Sequence, residues 1–384
     1  MVRERISRGM RVGLVFAPVS LFLAVFEFAL PLRLASLDTQ VWVIGAFITG
    51  SWIIGTLLDP LLGIITQRFG QRRTILASTL LLGALISVFG FTESLIALFF
   101  ITFFAYLAYD TALIALSSYM ISTTPRQAIS NAMSGFFSMW NASYVIGPLL
   151  AAAIIVRYGY AYPYLMALPL AIISIGAFIR FVPEKPVSAR FDYRASIAYL
   201  QKLIRTESVL LTGVIAVQFW FSMLAIGLPL LMLLEEGNLW FSALMALSLF
   251  IPLPFGNLIA DRFARERTSR YRMLVAGFAL AAASTILLAI IQPVPLLAII
   301  TLVGAFGMSV CAAILEVEAG LIARSHHESE IEGVFVFAKN IGSDIAPLIF
   351  GVLASIMLRL PFLILSGLIA IVVIAFLRSH RSVR

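Results

Sequence analysis

Residues 134–148, SGFFSMWNASYVIGP, have a counterpart 199 positions later in residues 333–347, GVFVFAKNIGSDIAP. Both stretches end in proline, carry an asparagine at the same place and have small residues at matching distances before the proline. A second pair, residues 63–73 (GIITQRFGQRR) and residues 257–267 (NLIADRFARER), lies 194 positions apart. Small residues and prolines are common in membrane helices, so either match alone has an ordinary explanation. Two matches at nearly equal offsets indicate a duplicated unit.

Apolar runs surround both repeats. The chain has 384 residues, of which 61% are hydrophobic and 12% charged, whereas a soluble domain is about 45–50% apolar and about 25% charged. A helix that crosses a bilayer needs about 20 apolar residues, because no backbone group can stay unpaired in hydrocarbon. Twelve runs meet this need: 12–36, 41–65, 74–91, 95–122, 128–156, 160–182, 208–234, 239–260, 271–292, 295–323, 330–357 and 360–378. The sequence predicts an all-α membrane protein of twelve transmembrane helices in two pseudo-symmetric six-helix bundles.

Basic residues predict the orientation of these spans, since Lys and Arg concentrate on the cytoplasmic side of a membrane. With both termini in the cytoplasm, three of the 27 Lys and Arg fall in outer loops (Arg33, Arg157 and Arg359), Lys339 falls within a span, and the other 23 are cytoplasmic. This asymmetry explains the formal charge of +8 without a nucleic-acid partner. We expect a monomeric protein of the cell (plasma) membrane with both termini cytoplasmic.

The longest polar stretch divides the two sets of six spans. Residues 183–207 contain two prolines that end the sixth span, followed by apolar residues at helical spacing opposite basic ones. Such a pattern is typical of an amphipathic helix at the membrane surface. We therefore expect an N-terminal bundle over 1–182, a cytoplasmic linker with an amphipathic helix over 183–207, and a C-terminal bundle over 208–384.

The repeated loops resemble the Gly-x-x-x-Asp-Arg-x-Gly-Arg-Arg signature of the major facilitator superfamily. The first copy matches it at Gly63, Arg68, Gly70, Arg72 and Arg73, with Gln67 in place of the acid, and the second copy matches it at Asp261 and Arg262. The resemblance implies that these residues serve as gating contacts of the loops. It also implies that spans one, four, seven and ten line a central cavity, while spans three, six, nine and twelve face lipid.

Seven ionisable side chains lie inside the predicted spans: Glu27, Asp59, Asp110, Glu316, Glu318, Lys339 and Asp344. An ionisable group in hydrocarbon costs several kcal/mol, so such residues usually face water or a partner. The four spans that the resemblance assigns to lipid carry none away from their ends. Lys339 lies at about the depth of Glu316 and Glu318, so an ion pair is expected, with either a structural or a gating role. The two glutamates are two positions apart, so they project to nearly opposite sides of the helix.

The segment Asp59-Pro60-Leu-Leu-Gly63 resembles the glycoside–pentoside–hexuronide cation symporters, the melibiose permease family. The resemblance implies that Asp59 helps to bind the coupling cation, with Glu27 and Asp110 as the acids of spans one and four. Gly55 stands where that family has a second aspartate. Because a lone desolvated carboxylate takes up a proton readily, we predict coupling to protons rather than sodium. The alternative is that Asp59 only caps or kinks its helix beside Pro60.

Further polar and aromatic residues are candidates for the wall of a substrate cavity. The predicted cavity residues are Asn141, Gln218, Trp220, Glu316, Glu318, Asn340 and Asp344. A tryptophan on a membrane helix is more often a packing or interface residue, and this second role stays open for Trp220. Cavities for anions usually carry arginine, and no arginine lies in the middle of a span.

The sequence carries no phosphate-binding glycine loop, no nucleophile elbow and no metal-ligand spacing, so we expect no enzyme, cofactor or metal site. Parallel six-span repeats with a site between them are a known transporter architecture. We therefore predict a secondary active transporter that works by alternating access, with proton-coupled symport of a sugar-like or other polar solute. Its partners would be the small-molecule substrate, the coupling ion and the bilayer. The alternatives are a proton-coupled exporter of drugs or metabolites and a sensor or scaffold that moves no solute.

Overall fold

The long apolar runs form helices, because a helix satisfies its own backbone hydrogen bonds in hydrocarbon. The computed structural model describes residues 2–124, 129–181, 206–256, 267–323 and 328–382. Thirteen helices lie wholly within these ranges: α1 (Val2–Ala35), α2 (Val41–Phe69), α3 (Gln71–Phe89), α4 (Leu95–Thr123), α5 (Ile129–Tyr158), α6 (Tyr162–Leu165), α7 (Ala167–Phe181), α8 (Ser208–Glu236), α9 (Leu239–Phe250), α10 (Arg267–Ile290), α11 (Val294–Ala323), α12 (Glu328–Ile356) and α13 (Leu360–Ser382).

Twelve segments of the described chain are long and apolar enough to cross a membrane, which confirms the predicted number of spans. Helices α1 to α5 supply the first five, and α6 with α7 supplies the sixth. That span is interrupted at Met166, because Pro169 lacks the N–H that would bond to the carbonyl of Leu165. Helix α9 likewise ends at Phe250 and is followed by a turn at Ile251 and Pro252 before helical residues resume.

The chain divides into two compact units. Unit 1 comprises residues 1–39 with 50–191, and unit 2 comprises residues 40–49 with 192–384. The first turns of α2 thus belong with unit 2, where a Cβ added to Gly45 would lie 2.2 Å from the carbonyl oxygen of Pro347. Residues 183–205 of the predicted linker lie outside the described residues, and with them the predicted amphipathic helix.

In unit 1, α1 packs along α5, and α3 packs against α4 and α7. The α1–α5 contact is close because Gly147 faces Ala24: a Cβ on Gly147 would lie 2.5 Å from the Ala24 Cβ. Hydroxyl groups add hydrogen bonds across the same contact, with Ser20 Oγ donating to the carbonyl oxygen of Trp140 at 2.9 Å. Small residues of the repeated segment therefore serve close helix packing, as is usual in membrane proteins.

In unit 2, the corresponding pairs pack in the same way: α8 along α12, and α10 against α11 and α13. Gly342 of the second repeat faces α8, where an added Cβ would lie 2.5 Å from the carbonyl oxygen of Ile215. At the α10–α11 contact, the fully buried Cys311 donates through Sγ to the carbonyl oxygen of Leu274 at 3.4 Å. The two units thus share one packing scheme, in agreement with the duplication that the sequence indicates.

Candidate functional site

Three carboxylates of unit 1 come from α1, α2 and α4. Glu27, Asp59 and Asp110 are all half-buried. Asp110 Oδ2 lies 3.0 Å from the position that a Cβ would take on Gly55. Because Gly55 and Asp59 are one turn apart on α2, they share a helix face. The Asp110 carboxylate therefore sits against the same face of α2 that carries Asp59, in space that a side chain at position 55 would fill.

Glu27 is held by a short chain of hydrogen bonds that links α1 to α5. The Tyr144 hydroxyl donates to the Glu27 carboxylate, and the Trp140 indole N–H donates to the Tyr144 hydroxyl. Trp140 and Tyr144 lie one turn apart on α5, so both reach the same side of that helix. Asn141 is half-buried on the same helix, one residue beyond Trp140.

Four aromatic rings lie in series across α2, α4 and α5. Trp52 on α2 lies 4.8 Å from Tyr106 on α4, measured between ring centroids, and Tyr106 lies 6.2 Å from Tyr109. Tyr109 in turn lies 6.0 Å from Trp140 on α5. Glu27 and Asp110 act electrostatically on both tyrosines. We call the rings of Trp52, Tyr106, Tyr109 and Trp140 the aromatic row.

Sequence reasoning missed Tyr106, Tyr109 and Tyr144. A signal was present for Tyr106, because it stands four positions before Asp110, which places both on one face of α4. Tyr144 had no comparable signal. Its contact with Glu27 depends on the rotation of α1 against α5, which hydrophobic periodicity does not define.

Unit 2 carries a second set of polar groups, on α8 and α12. Asp344 is 5% exposed and accepts a hydrogen bond from Ser343 Oγ at 3.1 Å. Ser222 Oγ on α8 donates to the Ser343 carbonyl oxygen at 2.7 Å. Gln218 approaches α12 at Gly342, with its Cβ 3.2 Å from the position that a Cβ would take there, and Asn340 is half-buried. The structure thus brings Gln218 and Ser222 of α8 against Gly342 and Ser343 of α12.

Trp220 lies in the interior of unit 2. Its side chain has no exposed surface, and its indole N–H donates to Thr285 Oγ1 on α10 at 2.8 Å. A ring that is enclosed and hydrogen-bonded in this way stabilises helix packing. This geometry supports a packing role for Trp220 rather than the predicted cavity role.

Two ion pairs occupy one end of α11. Lys339 Nζ on α12 donates to Glu316 Oε1 at 2.9 Å, with side chains 32% and 52% exposed. Arg270 Nε on α10 donates to Glu318 Oε1, with side chains 11% and 18% exposed. The two glutamates therefore face opposite neighbours, as their spacing of two residues predicts. The better-buried pair, Arg270 with Glu318, ties α11 to the lipid-assigned ninth span.

Replacing Arg270 by alanine should lower the stability of unit 2, because the Glu318 carboxylate would lose its hydrogen-bond partner in a mostly buried place. We expect a loss of about 1–2 kcal/mol, reduced by the remaining hydration of Glu318. Arg272→Ala is the matched control, since Arg272 lies on the same helix and is exposed. Thermal unfolding of both variants in detergent measures the difference, and equal midpoints would contradict a stabilising role for the pair.

The predicted loop residues are partly described. Gly70, between α2 and α3, has a φ of 85°, a conformation that favours glycine. Arg72 donates through a guanidinium nitrogen to the carbonyl oxygen of Ile179 near the end of α7 at 3.3 Å, and Arg73 is exposed. The structure does not describe the side-chain environment of Gly63 and Arg68, and Asp261 and Arg262 lie outside the described residues.

A further ion pair of unit 2 was not predicted from the sequence. It lies at the end of α10 opposite to the Arg270–Glu318 pair. Arg359, between α12 and α13, forms two hydrogen bonds with the Glu235 carboxylate, at 3.0 and 2.5 Å. The same guanidinium donates to the carbonyl oxygen of Ile291 at 2.5 Å. One arginine thus joins the chain at the ends of α8, α10 and α12.

Solved structures of several transporters resemble this chain in fold. The solved structure of a bacterial homologue of the human lysosomal transporter Spinster has a TM-score of 0.78 at 11% identity, over 97% of this chain and 96% of that chain. The nucleoside transporter NupG gives 0.73 at 12% identity, over 96% and 98%. The human organic anion transporter MFSD10 (TETRAN) gives 0.66 at 15% identity, over 97% and 99%. At these identities the likeness concerns the fold.

No curated protein sequence matches the chain. The narrower resemblance to the melibiose permease family therefore stays a prediction. A family model described as Major Facilitator Superfamily matches residues 12–269. This match and the structural likenesses confirm the predicted fold class and identify an integral membrane protein of a transporter family. The chain belongs to the Major Facilitator Superfamily.

Proposed function

We propose that the chain is a secondary active transporter that moves a small polar solute together with protons by alternating access. The observation that supports this function is the group of carboxylates Glu27, Asp59 and Asp110 on three spans of unit 1. Carboxylates at membrane depth are rare and typically mark proton or substrate pathways. Glu27 stands beside the hydroxyl of Tyr144, a group able to donate to the ionised form.

Protons fit this site better than sodium. A sodium ion needs several oxygen ligands at once, whereas a proton needs one carboxylate oxygen. Gly55 supplies no ligand at the place where the melibiose permease family has a second aspartate, and the Asp110 carboxylate lies against that glycine. A carboxylate that is partly removed from water favours its protonated form. We assign proton uptake and release to Asp59 and Asp110, and assistance to Glu27.

The substrate class follows from the charges. The arginines that fall within the membrane spans of unit 1 lie in the first or last turn of a span: Arg11, Arg33, Arg72, Arg73, Arg157 and Arg180. An organic anion, the class of solute named for MFSD10, would therefore meet carboxylates without a nearby cation. A nucleoside, the class named for NupG, is an uncharged polar solute and fits this charge distribution better.

We propose a plasma-membrane location with both termini cytoplasmic and a monomeric state.

The test uses the purified full-length chain in liposomes that enclose a pH-sensitive dye. Solutes from a panel of sugars, nucleosides, amines and carboxylates are added outside without a pH gradient. Symport predicts that a solute taken up acidifies the lumen. Alkalinisation of the lumen on the same addition would instead support proton-coupled export. A solute that binds without any movement of solute or protons would support a sensor. Protein-free liposomes are the control for passive solute and proton leakage.

A further inference from the structure

We propose that the aromatic row of unit 1 binds an uncharged cyclic solute whose rim carries both hydrogen-bond donors and acceptors. This inference rests on the proposed transport function, because it names the class of substrate that the same unit would take. Glycosides and nucleosides both satisfy this description. The assignment comes from the hydrogen-bonding state of two rings in the row, Trp52 and Tyr106.

Two donors of the row meet no hydrogen-bond partner among the described residues. They are the indole N–H of Trp52 and the hydroxyl of Tyr106, and both atoms are buried. Tyr106 as a whole is only 7% exposed. A buried donor without a partner destabilises the protein by the lost hydration of that group. An acceptor on a bound ligand would satisfy such a donor.

Two carboxylates near the same row can act as acceptors. Glu27 and Asp110 both act electrostatically on Tyr106 and Tyr109, and both carboxylates are half-buried rather than enclosed. A solute beside these rings thus meets two buried donors and two carboxylate acceptors. Tyr109 and Trp52 are themselves half-buried, so part of each ring is open to contact.

This combination separates three classes of solute. An organic cation would pair with the carboxylates and stack on the rings, but it would leave both buried donors without an acceptor. An anion could accept from the donors, but it would face the carboxylates without a nearby cation. An uncharged ring with hydroxyl or amide groups on its rim can accept from Trp52 and Tyr106, donate to the carboxylates and place its apolar face against the aromatic rings.

Binding is measured by isothermal titration calorimetry on the full-length protein in detergent, with uridine and methyl β-glucoside as separate probes. The two probes distinguish a nucleoside site from a glycoside site. Tetraphenylphosphonium and benzoate represent a cation and an anion with aromatic rings. We expect binding of at least one uncharged probe and none of benzoate.

Two conservative variants, Trp52→Phe and Tyr106→Phe, keep an aromatic ring and remove the donor. Each should weaken binding of the uncharged probe roughly threefold to tenfold, the range for one lost hydrogen bond. The unfolding midpoint of Tyr106→Phe without ligand should stay unchanged or rise, because an unpartnered buried hydroxyl has been removed. A purely structural role of this hydroxyl would lower the midpoint instead. Trp240→Phe is the matched control, since Trp240 is 48% exposed and belongs to unit 2.

The outcomes separate this inference from the proposed function. Tight binding of tetraphenylphosphonium alone, unchanged affinity in both phenylalanine variants, or no binding of either uncharged probe at millimolar concentration overturns the inference. Proton movement triggered only by a cation in the liposome assay would likewise overturn it while leaving proton-coupled transport intact. Donor-dependent binding of uridine or methyl β-glucoside supports it, even if no protons move with the solute.

Discussion

Asp110→Asn should abolish proton-driven accumulation of the substrate while leaving exchange of labelled for unlabelled substrate. Asparagine keeps the size and the hydrogen-bonding groups of the side chain, but it cannot take up or release a proton. In the wild-type chain the Asp110 carboxylate lies against Gly55, on the face of α2 that carries Asp59. We expect accumulation to fall at least about tenfold, which corresponds to about 1.4 kcal/mol of lost driving force.

Liposomes with an imposed inward proton gradient measure this accumulation, and counterflow without a gradient measures exchange. Asp38→Asn is the matched control. It makes the same change of charge at an exposed turn residue of unit 1 with a φ of 55°, a conformation that asparagine tolerates. Proton-driven uptake that persists in both Asp59→Asn and Asp110→Asn would refute the coupling roles of these residues. Glu27→Gln tests the assisting role in the same assay.

Gly147→Ala should strongly destabilise unit 1. The added methyl would lie 2.5 Å from the Ala24 Cβ and 3.0 Å from the backbone carbon of Ala24, so α1 and α5 would have to move apart. Overpacking of this kind typically costs about 1–3 kcal/mol. The contact belongs to the repeated segment, so its loss would also disturb the hydrogen bonds that Ser20 and Tyr144 form between the same helices.

Gly176→Ala is the control for this substitution, because a Cβ at that position on α7 meets no atom within 4 Å. In a helix, replacing glycine by alanine in open space is stabilising by up to about 1 kcal/mol. The two variants should therefore shift the thermal midpoint in detergent in opposite directions. A midpoint of Gly147→Ala at or above that of the wild type would show that the α1–α5 contact is not tight.

The twelve spans could be predicted from the sequence, because the length of an apolar run is a local property. The positions of the acidic residues along each helix could also be predicted from the sequence. The interruption at Met166 was not predicted, although its cause, Pro169, is a residue with a known effect on helices. The assignment of residues 40–49 to unit 2 had no signal in hydrophobic patterning, since it depends on the close approach of Gly45 to α12.

The site was predicted less completely than the fold. The carboxylates could be found because charges are rare in spans, whereas the aromatic row consists of residues that are common in any membrane helix. Whether Trp52 faces Tyr106 or lipid depends on the rotation of α2, and several rotations satisfy the same apolar pattern. Trp220 had two interpretations from the sequence, a cavity residue or a packing residue. Its indole N–H donates to Thr285 Oγ1, and this geometry favours packing.

The burial of the only cysteine, Cys311, has a practical consequence for measuring conformational change in this protein. Its thiol has no contact with solvent and is held at the α10–α11 contact. Water-soluble maleimides and nitroxide reagents therefore reach introduced cysteines and leave the native thiol unmodified. Pairs of spin labels can be placed on introduced surface cysteines without first replacing Cys311, so distance changes can be recorded with the protein interior unaltered.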